Sequence, residues 1–230
     1  MVFAVQLVFL HGFPLDGRMW RDQLGLLPGA VRCPTLYRLG NSIEAWAAGV
    51  LECMEQLPAI VVGSSMGGSC ALEMARQQGD RIEAIVLVGA KAGHRPEPAL
   101  RDGYIDLLRR GGAAAMWARV GLDFFGPEAD PQVVEETREL ALAQSTDDLV
   151  KGMEAFHGRA DLTEVIESWQ KPLLVIDGDQ FGSAEKATAM ARLAPDGRAR
   201  IYRGCGHFPN LERARQFNAA LTDLLLEIDR

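Results

Sequence analysis

A chain of 230 residues, 48% hydrophobic and 24% charged, is long enough to bury one sizeable core, and its composition is that of a globular protein rather than a disordered or fibrous one. A formal net charge of −7, with no run of Lys or Arg, argues against nucleic acid or an anionic membrane as partner and leaves a small, largely uncharged molecule as the expected ligand. The four cysteines, Cys33, Cys53, Cys70 and Cys205, lack C-x-x-C spacing, and the apolar opening MVFAVQLVFL has no basic segment ahead of it, so free thiols in a cytoplasmic protein are expected.

Residues 4–10 read as a first strand, His11-Gly12-Phe13-Pro14 as the loop after it, and 18–27 as an amphipathic helix. A short second strand over 30–33 stops at Pro34, and a loop covers 35–42. Ile43, Ala47, Val50, Leu51 and Met54 then share one face of a helix over 43–57. In 59–75, AIVVGSSMGGSCALEMA, four apolar residues run into Gly63-Ser64-Ser65-Met66-Gly67-Gly68, after which Ala71, Leu72 and Ala75 recur at helical spacing. This is strand, sharp turn, helix, in the pattern G-x-S-x-G. Gly63 and Gly67 lie where bulk would collide, and the Ser65 hydroxyl is pushed out at the edge of a sheet and the start of a helix, where negative charge is favoured.

The nearly continuous apolar run 82–89 is a strand buried on both faces. The alternation then stops. Only helical patterns occupy 100–109, 113–125, 133–143 and 146–156, so 93–169 reads as a helical lid inserted into a core built from 1–92 and 170–230. Strands resume at 172–176 and 199–202, and a helix over about 212–228 closes the chain. The fold class is α/β, a mostly parallel, doubly wound sheet with helices on both sides.

A serine hydroxyl needs a base, and among four histidines His207, in Gly204-Cys205-Gly206-His207-Phe208 between the last strand and the last helix, reaches the same sheet edge as Ser65. His94 and His157 fall in the helical block. A carboxylate that orients the imidazole is expected on the loop after 172–176, where Asp177 and Asp179 both stand; Asp179, farther out on the loop, is preferred. Two N–H groups are needed for an oxyanion, and the backbone of Met66 and Phe13 supplies them. Trp117, Phe124, Phe125, Met153 and Phe156 are the lid side chains expected to line an apolar substrate pocket. Nothing in the sequence suggests a metal, a nucleotide or another cofactor.

With HGFP, GSSMGG, the loop at 177–179 and GCGHFPN in that order, the chain resembles the α/β-hydrolase superfamily, specifically its short soluble esterase and lactonase-like members, over nearly its whole length. The resemblance implies a serine hydrolase that cleaves a small ester, thioester or lactone through an acyl-enzyme, with Ser65, His207 and Asp179 as triad. A cofactor-free lyase or C–C bond hydrolase, or a non-catalytic ligand-binding member, is the alternative. Three departures stand out. The chain begins almost at the HG strand, so the family's opening hairpin is expected to be missing. Thr35 and Leu39 replace an acid and a glycine in the loop after the second strand. Counting forward from Gly178, the family's acid position falls on Phe181; counting back from the next helix, it falls on Asp179.

Overall fold

Side chains alternate faces along a strand, and here that alternation divides the interior in two. The computed structural model describes residues 5–181 and 184–229; residue 4, where the sequence starts the first strand, lies outside the described residues. Strands β1 (Gln6–Leu10), β2 (Val31–Arg32), β3 (Ala59–Ser64), β4 (Ile82–Val88), β5 (Leu173–Gly178) and β6 (Gly197–Tyr202) pair in the order β2-β1-β3-β4-β5-β6, every pair parallel. Val8, Leu10, Val61, Ile85, Leu87 and Val175 face one core, and Leu7, Phe9, Ile60, Val62, Val86 and Ile176 face the other. Strands buried on both faces need helices on both sides, and the chain provides them.

Helices α1 (Ile43–Cys53) and α2 (Met66–Gln78) cover the first face through Trp46, Val50, Cys70 and Leu72. On the second face pack the 3-10 segment Gly17–Leu26, with Met19 and Trp20, and the closing helix, with Phe217, Leu221 and Leu225. Between β4 and β5 stand α3 (Pro98–Met116), α4 (Pro131–Leu142), α5 (Thr146–Gly158) and α6 (Thr163–Ser168). The two helices expected over 100–109 and 113–125 are one element up to Met116, kinked at Gly112 (φ 60°), and then continue as a π turn and a 3-10 turn to Phe124. After β5 come α7 (Ala184–Ala191), α8 (Pro209–Glu212) and α9 (Ala214–Ile228). No helix of the described residues is long and apolar enough to cross a membrane.

Two helix boundaries differ from the sequence reading, each where a side chain bonds backbone distant in sequence. The helix expected to reach residue 57 stops at Cys53. The buried Gln6 amide donates to Glu55 O (3.1 Å) and Leu57 O (2.6 Å) and accepts from Glu55 N–H (3.2 Å), satisfying that segment's backbone outside a helix. The helix expected to start near 212 is broken at Arg213 (φ −131°, ψ 40°), and the Glu212 side chain turns instead to the backbone of Gly126 and Gly206.

His11 is fully buried and has a structural job. Its Nε2 accepts from Leu36 N–H (2.9 Å) while Nδ1 faces Gly12 O (3.2 Å), so the proton sits on Nδ1 and the HGFP loop is pinned to the loop after β2. Burial pushes its pKa down to about 4. Between about pH 6.5 and pH 4 the unfolded chain therefore binds a proton here that the folded chain does not, so stability falls on acidification. This one group contributes a loss of about 3 kcal/mol across the window. Urea unfolding of wild type and His11→Gln over that range will show the flatter slope in the variant, whose amide oxygen accepts from Leu36 without titrating.

Candidate active site

The turn between β3 and α2 is built so that three backbones nearly touch. A Cβ on Gly63 would sit 2.3 Å from Gly67 O, and one on Gly67 would sit 2.3 Å from Leu10 O at the end of β1. With no room for side chains there, Ser65 takes φ 51°, ψ −114°, a conformation that non-glycine residues avoid, and its N–H donates to Val88 O (2.8 Å) at the end of the neighbouring strand. Ser65 is thus held at the sheet's C-terminal edge, immediately before the first turn of α2. Among the described residues no acceptor stands against the N–H of Met66 or of Phe13. The first is one of the orphan donors of the helix N-terminus, and both residues line the same cavity as Ser65.

His207 enters from the loop between β6 and α8. Its N–H donates to Phe124 O (2.6 Å) in the helical insertion. Glu212 holds the loop from beneath, one carboxylate oxygen accepting from Gly206 N–H (2.9 Å) and the other from Gly126 N–H (3.0 Å), so histidine loop and insertion are tied through one side chain. The imidazole stacks on Phe124, with ring centroids 5.5 Å apart, and lies against Phe181 at 4.2 Å. It is buried, and burial first, Lys91 second, pushes its pKa down to about 3. His207 is therefore neutral at neutral pH.

The expected acid is where the structure departs from the sequence reading. Asp179 is exposed, and its carboxylate accepts from Gly204 N–H (2.7 Å) and from Gln180 Nε2 (2.8 Å), bridging the two loops at the sheet edge. Asp177 is buried in β5, with Oδ1 accepting from Gly178 N–H (2.9 Å). His207 Nδ1 has no hydrogen-bond partner among the described residues and faces Gly89, where a Cβ would lie 2.8 Å away. Asp179 is thus not brought to the imidazole, and the side chain that covers it is Phe181. The physical reason is local: the Gly204 turn (φ 64°) presents a free N–H within reach of Asp179, and the hydrophobic Phe181 turns inward to Phe124 and His207.

Ser65, His207, Phe13 and Met66 line one cavity of about 670 Å³ together with Phe124, Met153 and Phe156 of the insertion. Trp117 and Phe125, expected beside them, do not line it. They pair with each other at 6.3 Å, and Phe125 packs on Phe208 at 6.1 Å, so they belong to the second core. Sequence reasoning passed over Lys91, Arg119 and Arg159, which also line the cavity. No motif marks them; only their convergence in space does. Among the described residues no cluster of His, Cys, Asp or Glu is arranged to hold a metal ion.

Residues 7–220 match the family model described as the alpha/beta hydrolase family. A pimeloyl-[acyl-carrier protein] methyl ester esterase of Aromatoleum aromaticum is 28% identical, the alignment covering 95% of this chain and 97% of the relative. Among solved structures, the enol-lactonase of Burkholderia xenovorans LB400 superposes with a TM-score of 0.83 at 25% identity, covering 96% of this chain and 91% of that one. A thermophilic esterase of Thermogutta terrifontis superposes with a TM-score of 0.87 at 24% identity, covering 98% and 91%.

An imidazole without a carboxylate at Nδ1 has nothing to stabilise the imidazolium it becomes when it takes a proton. Replacing Phe181 by Asp or Glu is expected to supply that partner. The His207 pKa should rise from about 3 toward the ordinary imidazole range. NMR titration of the His207 ring in wild type and the two variants checks it.

Proposed function

Because the chain belongs to the alpha/beta hydrolase family, we propose that it is a serine hydrolase acting on a small carboxylic ester, thioester or lactone. Ser65 attacks the carbonyl, His207 takes its proton and returns it to the leaving group, and water releases the acyl group by the same base. The Phe13 and Met66 N–H groups hold the developing oxyanion. The observation that carries this reading is the strained Ser65 (φ 51°) at the cavity floor with a neutral histidine lining the same space. The methyl ester esterase similarity supports ester chemistry.

Asp179 acts in this reading as a brace for the histidine loop through Gly204 rather than as the acid. The imidazole is oriented by packing between Phe124 and Phe181 and by its own backbone bond to Phe124. A base oriented by contact alone is weaker than one in a full triad, so modest turnover numbers are expected.

Burst and steady-state kinetics with p-nitrophenyl acetate and butyrate test the assignment. Ser65→Ala and His207→Ala should each remove turnover by on the order of 1,000-fold. Asp179→Asn should cost less than about 10-fold, well short of the roughly 10,000-fold that loss of a true triad acid brings. A loss in Asp179→Asn comparable to that in His207→Ala would return Asp179 to the triad.

A further inference from the structure

The whole chain carries −7, yet its cavity is lined by four cations, Lys91, Arg95, Arg119 and Arg159, against two carboxylates, Glu97 and Asp123. Among the described residues none of the four cations makes an ion pair. Three of them are exposed, and solvent accounts for their charge. Arg159 is different. It is only 7% exposed, and its guanidinium carbon lies 3.9 Å over the Phe156 ring. Its Nη groups donate to backbone oxygens alone, to Phe156 O and, at 3.4 Å, to Gly93 O. Its Nε is buried with no partner. Asp161, two residues on, attracts it from a distance but forms no ion pair with it, its carboxylate accepting from His94 N–H (3.1 Å) and Thr163 N–H (2.9 Å). Burial pulls the Arg159 pKa down to about 10, which still leaves it charged at neutral pH.

A buried guanidinium without an ion pair is costly to the fold, and a cavity-lining one is relieved by an anion that arrives with the ligand. We propose, building on the serine hydrolase reading, that the cavity takes an ester or thioester whose acyl chain ends in a carboxylate, and that Arg159 binds that carboxylate while the carbonyl lies at Ser65. The planar guanidinium suits a planar carboxylate. One buried cation also matches one charge, whereas a phosphate dianion would call for more. Met153 and Phe156, on the wall of the same cavity, suit the short hydrocarbon chain between the two ends. This proposal departs from the expectation of an uncharged ligand drawn from net charge. The overall charge sums over the surface and carries no information about the sign inside one cavity.

The test compares p-nitrophenyl hemiglutarate with p-nitrophenyl valerate, equal in chain length and differing in the terminal charge. Wild type should favour the hemiglutarate in kcat/KM by at least about 10-fold, the effect of one charge-assisted contact. That ratio should fall at least about 10-fold in Arg159→Gln and recover in part in Arg159→Lys. Calorimetry on Ser65→Ala, with monomethyl glutarate, dimethyl glutarate and inorganic phosphate as probes, reads binding without turnover and does not depend on an Arg159 variant folding. Monomethyl glutarate should bind tighter than the other two. Equal rates on both esters, with no preference in binding, would overturn the carboxylate subsite and leave the hydrolase reading intact. Preferred binding of monomethyl glutarate without Ser65-dependent turnover of any ester would overturn the hydrolase reading and uphold the subsite. Phosphate binding tighter than monomethyl glutarate would overturn the choice of carboxylate.

Discussion

Everything at the sheet edge depends on how closely β1, β3 and α2 approach one another around Ser65. A single Cβ at Gly63 or Gly67 would meet backbone oxygen at 2.3 Å, so the turn cannot relax outward without parting the strand from its helix. That approach forces the serine into its φ 51° conformation and leaves the Met66 N–H at the helix start with no backbone acceptor among the described residues. It also brings the end of β1, and with it the HGFP loop, against the same point. His11 locks that loop from the other side by accepting from Leu36 N–H. Strain at one residue is thus sustained by two packed faces of a parallel sheet, in which most strand side chains are fully buried.

The histidine is held with comparable firmness but with a different chemistry around it. The bond from His207 N–H to Phe124 O, and those from Gly206 and Gly126 N–H to the Glu212 carboxylate, make the imidazole's position a property of the contact between the helical insertion and the histidine loop. Phe124 and Phe181 enclose the ring where a carboxylate would have charged it. The imidazole is thus neutral and desolvated, lining the same cavity as the strained serine. For the proposed acyl transfer it lacks compensation for the positive charge that would form, and Lys91 nearby adds to that cost.

The cavity couples this site to the insertion in a second way. Arg159, at the end of α5, uses the Phe156 ring and the backbone of residues 93 and 156 as its support and makes no ion pair among the described residues. The insertion therefore contributes both a wall and a sign. Trp117 and Phe125, aromatic and close in sequence to Phe124, contribute neither, because Phe125 turns to Phe208 and Trp117 packs on Phe125 in the second core.

The six strands, the helical block between β4 and β5, the Ser65 turn and the loop carrying His207 were legible in the sequence, since each rests on local periodicity or on glycines that a turn requires. Where two distant segments compete for the same polar groups, local pattern is silent. Gln6 ends α1 from 49 residues away, Glu212 breaks the last helix to hold Gly126, and Asp179 spends its carboxylate on Gly204 rather than on His207. The sequence by itself determined the order of elements and the placing of Ser65 and His207 at one sheet edge, because these follow from side-chain spacing and backbone sterics. Only the tertiary structure decided which aromatic rings face the cavity, what surrounds the imidazole, and that Arg159 lies buried beside that cavity without an ion pair. Those outcomes depend on distances between segments that no single stretch of chain encodes.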